Sequence, residues 1–183
     1  MPTMRFRRTV SRVLGLTALA LLVGAVAALL WANVSVLPRW TVYPDGHAEM
    51  TDLDRTQVFS ATFWYSVLAV FGGLAIGVAA WARLRRIGWP VAVITGALAV
   101  VGGLTCWWLG EVFGPGPFAE RLAAAQAGDQ VAVALQLQAP SALAIWVFAA
   151  VAVPLFAASL GPEMVRQEAP AVEPAPERTD VDV

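Results

Sequence analysis

The chain has 183 residues, of which 58% are hydrophobic and only 14% charged, with a net charge of -1. A soluble domain carries about 25% charged residues. Here the apolar residues gather into blocks of about 20, enough to cross a bilayer core of about 30 Å. That pattern excludes an ordinary soluble domain of this length, and the charge balance gives no footprint for nucleic acid.

Residues 1–12 carry Arg5, Arg7, Arg8 and Arg12 and read as an arginine-rich cytoplasmic N-terminus. The first apolar span covers residues 13–34. It resembles the core of a secretory signal, but it is longer than the usual h-region and no clean cleavage site follows, so it reads as a retained anchor. Further spans cover 61–82, 89–109 and 142–160. Backbone polar groups facing hydrocarbon must be bonded within their own segment, so each span is predicted to be helical. The fold class expected is all-α: a four-transmembrane-helix bundle, residues 13–160, with outer loops at 35–60 and 111–140.

The first outer loop holds "WTVYPDGHAEMTDLDRTQVF", which contains the only histidine. Thr41, Val42 and Tyr43 favour strand. Pro44, Asp45 and Gly46 carry turn chemistry: a preset φ, a side chain that bonds its own backbone, and tolerance of positive φ. A short hairpin is expected, with Trp40, Tyr43, Asp45 and Gly46 as the main residues of a small extracytoplasmic cap. Trp40 and Tyr43 are expected to lean on the helix ends, and His47 and Glu49 to face water. Asp45, His47, Glu49, Asp52 and Asp54 are the conceivable cation ligands, but they lack the spacing of a known site, so no metal is assigned. Asp52 or Asp54 is suited to cap the second span's helix.

The loop between spans two and three, "RLRRIG", holds Arg83, Arg85 and Arg86. With the N-terminal arginines these outnumber Arg39, Arg55 and Arg121 on the other flanks. The positive-inside rule then puts both termini in the cytoplasm of a multi-pass plasma-membrane protein. Trp31, Trp40, Tyr43, Trp64, Tyr65, Trp107, Trp108 and Phe113 fall near the outer boundary and read as interfacial anchors, with Trp81 and Trp89 at the inner one.

Span three carries a stripe of small residues: Ala92, Gly96, Ala99, Gly103, Cys106 and Gly110. Span two offers Thr62, Ser66, Ala69, Gly73 and Ala80, and Gly73 with Gly77 forms a small-xxx-small pair. Small residues let helix backbones approach in lipid, so Gly73, Gly77, Gly96 and Gly103 are expected at helix contacts. The short connection suggests that spans two and three form the tightest contact. Cys106, the only cysteine, permits no intrachain disulfide and reads as a small apolar residue. In the second outer loop "GPGP" reads as a turn, "FAERLAAAQAG" as a short helix stopped by Gly128, and "VAVALQLQ" as extended. Pro154 is expected to kink span four. Residues 161–183, rich in Pro, Glu and Ala, read as a disordered acidic cytoplasmic tail.

The spans contain almost no ionisable residues, the nearest being Glu111, and no P-loop, HExxH or GxSxG motif is present. No catalytic residue and no cofactor are assigned. The motifs "SVLPRWTVYPDGHAE", "FWYSVLAVFGGLAIGVAAWARLRR", "GGLTCWWLGEVFGPGP" and "AQAGDQ" resemble an uncharacterised four-span membrane protein family of high-GC Gram-positive bacteria. The resemblance covers residues 14–160 and implies topology alone. That family often has a Trp-Pro pair in its last span, whereas Trp146 and Pro154 stand apart here.

The function expected is a non-enzymatic accessory or structural subunit of the bacterial cell envelope. Its partners would be the lipid bilayer and another membrane protein or a second copy, not nucleic acid. A small transporter acting as an oligomer is the alternative. An envelope enzyme using Glu111, Asp52 or Asp54 with His47 is a third.

Overall fold

The computed structural model describes residues 2–160, and the expected tail at 161–183 lies outside them. The described chain is mostly helical. Four helical segments are long and apolar enough to cross a membrane, built on α1 (Pro2–Val34), α3 (Ser60–Leu84), α4 (Pro90–Phe113) and α6 (Leu143–Ser159), the last together with the 3₁₀ turn Pro140–Ala142 before it. Two short helices, α2 (Asp52–Thr56) and α5 (Phe118–Ala123), lie in the connections. Helix α1 begins at Pro2, well before the expected start at residue 13, and so runs through the arginine-rich segment.

The long helices bury many of their small residues and turn many of their bulky apolar residues outward. In α3 the buried positions include Ala61, Tyr65, Ala69, Gly73, Ile76, Gly77 and Ala80, recurring at helical spacing. Phe63, Phe71, Leu74 and Val78 on the other side are exposed. This inverts the usual soluble pattern. In lipid a large apolar side chain gains nothing by turning inward, whereas close backbone approach gains van der Waals contact.

The helix pairing differs from the expectation. The most extensive contacts are α1 with α4 and α3 with α6, while α3 and α4 touch less despite their short connection. That connection is a 3₁₀ turn, Arg85–Ile87, followed by Gly88 at φ +84° and then Pro90 at the start of α4. Proline suits a first helical position because its missing N–H has no helical partner there anyway.

Some of the small residues form sockets for two tryptophans, whereas Gly24, Gly73 and Gly77 face a backbone carbonyl of a neighbouring helix. Trp146 of α6, fully buried, lies against Gly72 of α3 and Gly103 of α4. Trp31 of α1, also fully buried, lies against Gly110 of α4 and donates its indole N–H to the Ala61 carbonyl at 2.7 Å. Trp31 is therefore a core residue and not an interfacial anchor. Its one polar atom is satisfied by the chain, which removes its reason to stay at a wet boundary. Tyr65 departs from the expectation in the same way: it is fully buried, edge-on to Trp31, and its hydroxyl donates to the Gly103 carbonyl at 2.9 Å.

At one end of the bundle the two long connections meet in a three-stranded antiparallel sheet of order β2-β1-β3. Strand β1 (Arg39–Val42) is central. It pairs with β2 (Ala48–Met50) in the register Trp40↔Met50, and with β3 (Gln130–Ala132) in the register Trp40↔Val131. At the opposite end lie Arg12, Arg83, Arg85 and Arg86.

Candidate functional site at the sheet end

The β1–β2 turn is built by its residues as expected. The Gly46 amide donates to the Tyr43 carbonyl at 2.9 Å, closing a turn over Pro44 and Asp45, and the Tyr43 amide donates to the His47 carbonyl at 2.8 Å. Gly46 has φ +83°, which only glycine adopts without strain. His47 is bonded through Nδ1 to the Asp45 carboxylate and stacks on Tyr43, with ring centroids 4.6 Å apart and planes at 8°. Tyr43, Asp45, His47 and Glu49 are all exposed. Tyr43 thus lies over the hairpin turn and not on the helix ends, because His47 offers it a parallel ring face two residues beyond the turn. Trp40 is half-buried against Phe118 of α5, with centroids 6.1 Å apart.

Beneath the sheet is a cleft of about 760 Å³, bounded by the loop after α1, β1, β3, the start of α2 and the end of α4. Its polar lining includes Arg39, Thr41, Thr51, Asp54, Gln57 and Gln130. Thr51 is the N-cap of α2: its Oγ1 accepts from the Asp54 amide at 3.2 Å, and its hydroxyl donates to the Asp54 carboxylate. The same carboxylate accepts the Arg39 amide at 3.2 Å, and the Arg39 guanidinium donates to Gln130 Oε1 at 3.4 Å. Asp54 therefore ties α2 to β1, and Arg39 ties β1 to β3.

Asp54 is committed to structural hydrogen bonds. The bond from the Thr51 hydroxyl lowers its carboxyl most; desolvation opposes it, but the Arg39 amide, the Thr51 backbone and the Arg39 charge add to the lowering, and the carboxyl lies below the ordinary carboxylate value. At Asp45, desolvation acts to raise the carboxyl, but bonds from the His47 amide and ring, with the His47 charge, outweigh it and lower it. Neither Asp52 nor Asp54 caps the second span's helix: α3 begins at Ser60 without a side-chain cap, and the two acids lie instead in the first turn of α2, capped by Thr51, where they favour the helix dipole.

The candidate acids do not converge. Asp54 lines the cleft beneath the sheet. Glu111, at the end of α4, lines two separate clefts and accepts the Trp107 indole N–H at 2.7 Å. His47 belongs to neither set. Among the described residues no three His, Cys, Asp or Glu side chains are placed to hold a metal ion.

The second loop is tied down by Arg121, whose guanidinium donates to the Ala132 carbonyl at 2.7 Å and so fixes α5 to β3. Helix α5 ends at Ala123, and Gly128, at φ +95°, serves the turn into β3 instead of stopping the helix. Beyond β3, Leu135 and Leu137 are buried while Gln136 and Gln138 are exposed, which keeps the expected alternation. Sequence reasoning missed Arg39, Thr51 and Gln130 as members of this site. The Thr51-x-x-Asp54 spacing was a legible signal of reciprocal helix capping. Gln130 had none, because its role follows from a pairing between distant loops.

The expected packing glycines divide. A β-carbon built at Gly73 would lie 2.6 Å from the Trp146 carbonyl oxygen, and one at Gly103 would lie 2.6 Å from Leu143 Cδ1. At Gly77 it would overlap the Ala150 carbonyl. At Gly96 the nearest atoms, on Val151 and Val147, are 3.6 and 3.7 Å away, which is ordinary contact. Pro154 is buried within α6, which continues past it to Ser159.

The described chain is of membrane type: four helices long and apolar enough to span a bilayer, with polar connections gathered into a sheet and cleft at one end. No family model, curated protein or solved structure matches the chain.

Proposed function

We propose that the chain is a four-span accessory or structural subunit of the cell envelope that binds another membrane protein, with both termini cytoplasmic and the sheet forming an outer cap. It would be of the four-span bacterial family type that its loop motifs resemble. The observation that carries this reading is the filled interior. Trp31, Tyr65, Ile76, Thr95 and Trp146, all buried, occupy the space between the helices. The hydroxyls of Thr17, Ser66, Thr95 and Thr105 each donate to a carbonyl one turn back in their own helix. Such hydroxyls are spent on the backbone and offer little to a hydrated pathway, which favours a scaffold over a transporter. The exposed Trp108 and Phe113 near the cap supply aromatic area for lipid or partner.

Two experiments test the proposal. Reporter fusions at residues 48 and 183 read the orientation, and a cytoplasmic signal at 48 overturns it. Photo-crosslinkers at Trp108 and Phe113 in native membranes should give one discrete protein adduct. Adducts to lipid alone overturn the subunit reading.

A further inference from the structure

We infer that the end of the bundle opposite the sheet carries a binding site for the phosphate of an anionic phospholipid headgroup. Arg12 of α1, Arg83 of α3 and Arg85 and Arg86 of the following turn line one cleft of about 420 Å³, together with Ala82. The volume lies within the range of small-molecule sites.

The acids of the described segment are Asp45, Glu49, Asp52, Asp54, Glu111, Glu120 and Asp129, all in or beside the connections at the sheet end. The arginine cleft thus has no carboxylate near it among the described residues, whose one ion pair joins His47 to Asp45 at the sheet end. Four like charges around one cleft repel one another, and a bound anion relieves that repulsion. A topological signal requires arginines only on the flank. It does not require side chains from three separate elements to line a common cleft. Guanidinium groups also match phosphate oxygens with paired donors.

The depth favours a lipid over a free anion. The cleft abuts Ala82, the residue after the half-buried Trp81, and exposed Trp89 follows the turn. Tryptophan favours the headgroup level. A headgroup there is presented with its acyl chains beside the exposed apolar faces of α1 and α3, so binding needs no free phosphate from solution.

The test uses the full chain in mixed micelles of neutral detergent with equimolar phosphatidylglycerol and phosphatidylcholine, with retained lipid counted by native mass spectrometry. Phosphatidylglycerol should be retained at least about tenfold over phosphatidylcholine. At about 1 kcal/mol per arginine, the double variant R83Q/R86Q should weaken that retention about 30-fold, and R55Q at the sheet end should leave it unchanged. A thermal melt of each variant confirms folding. Equal retention of the two lipids, or equal loss in R55Q, overturns the site. Displacement by inorganic phosphate or a hexaglutamate peptide at the lipid's own concentration overturns the lipid assignment in favour of that anion.

Discussion

Replacing Gly73 by alanine should destabilise the bundle, whereas the same change at Gly96 should not. The added β-carbon at Gly73 would lie 2.6 Å from the Trp146 carbonyl oxygen and 2.8 Å from Ala149 Cβ. The first of these is backbone and cannot rotate away. Reaching ordinary contact requires α3 and α6 to part by about 0.8 Å, and a gap of that size forfeits a quarter to a half of each contact's attraction. Overpacking of this kind costs about 1–3 kcal/mol, against a gain of about 0.5–1 kcal/mol for alanine over glycine within a helix. The net expectation is a loss of about 1–2 kcal/mol for G73A. At Gly96 the new methyl meets Val151 and Val147 at 3.6 and 3.7 Å, so only the gain remains. Reversible unfolding in mixed micelles, followed by circular dichroism, measures both. A G96A variant as destabilised as G73A, or a stabilised G73A, would refute this account of the α3–α6 contact.

Trp31→Phe should cost about 1–3 kcal/mol in the same assay, because it removes a buried hydrogen bond to Ala61 and partly empties the socket over Gly110. His47→Ala should change stability by no more than about 0.5 kcal/mol, as at other exposed positions. Trp40→Ala should cost about 2 kcal/mol, roughly half the penalty of a fully buried ring. The reverse order would mean that the hairpin acts through its histidine and not as a cap. The depressed Asp54 carboxyl contributes stability that is present above its unfolded-state value of about pH 4 and is lost as the pH falls through the lower folded-state value. Melts between neutral and strongly acidic pH should therefore show a steeper acid decline in the natural chain than in D54N. Parallel curves would contradict the role given to that carboxylate.

Hydropathy alone determined the four spans. In a membrane each segment must satisfy its own backbone, so a run of about 20 apolar residues settles its conformation without reference to the rest of the chain. The turn at Pro44, Asp45 and Gly46 was legible for a similar reason: the backbone demands of a tight turn fall on those residues themselves.

The partners of those local pieces were decided only in three dimensions. Gly73, Gly77 and Gly103 announce that something approaches closely, but glycine carries no side chain to say what. For Gly73 and Gly77 on α3, and for Gly103 on α4, the answer was α6: its backbone carbonyls for the first two, and Leu143 with the Trp146 ring for the third. Trp31 and Tyr65 looked like interfacial anchors because an aromatic with a polar atom suits a wet boundary. Their burial rests on the carbonyls of Ala61 and Gly103, which the fold alone brings within reach. The cleft beneath the sheet shows the same division. Thr51 and Asp54 are neighbours in sequence, and their capping pattern could be read there. The pairing of β1 with β3, which sets Gln130 beside Arg39, joins connections separated by two full spans. No local preference encodes it, because it forms only once helix packing has brought both loops to the same end of the bundle.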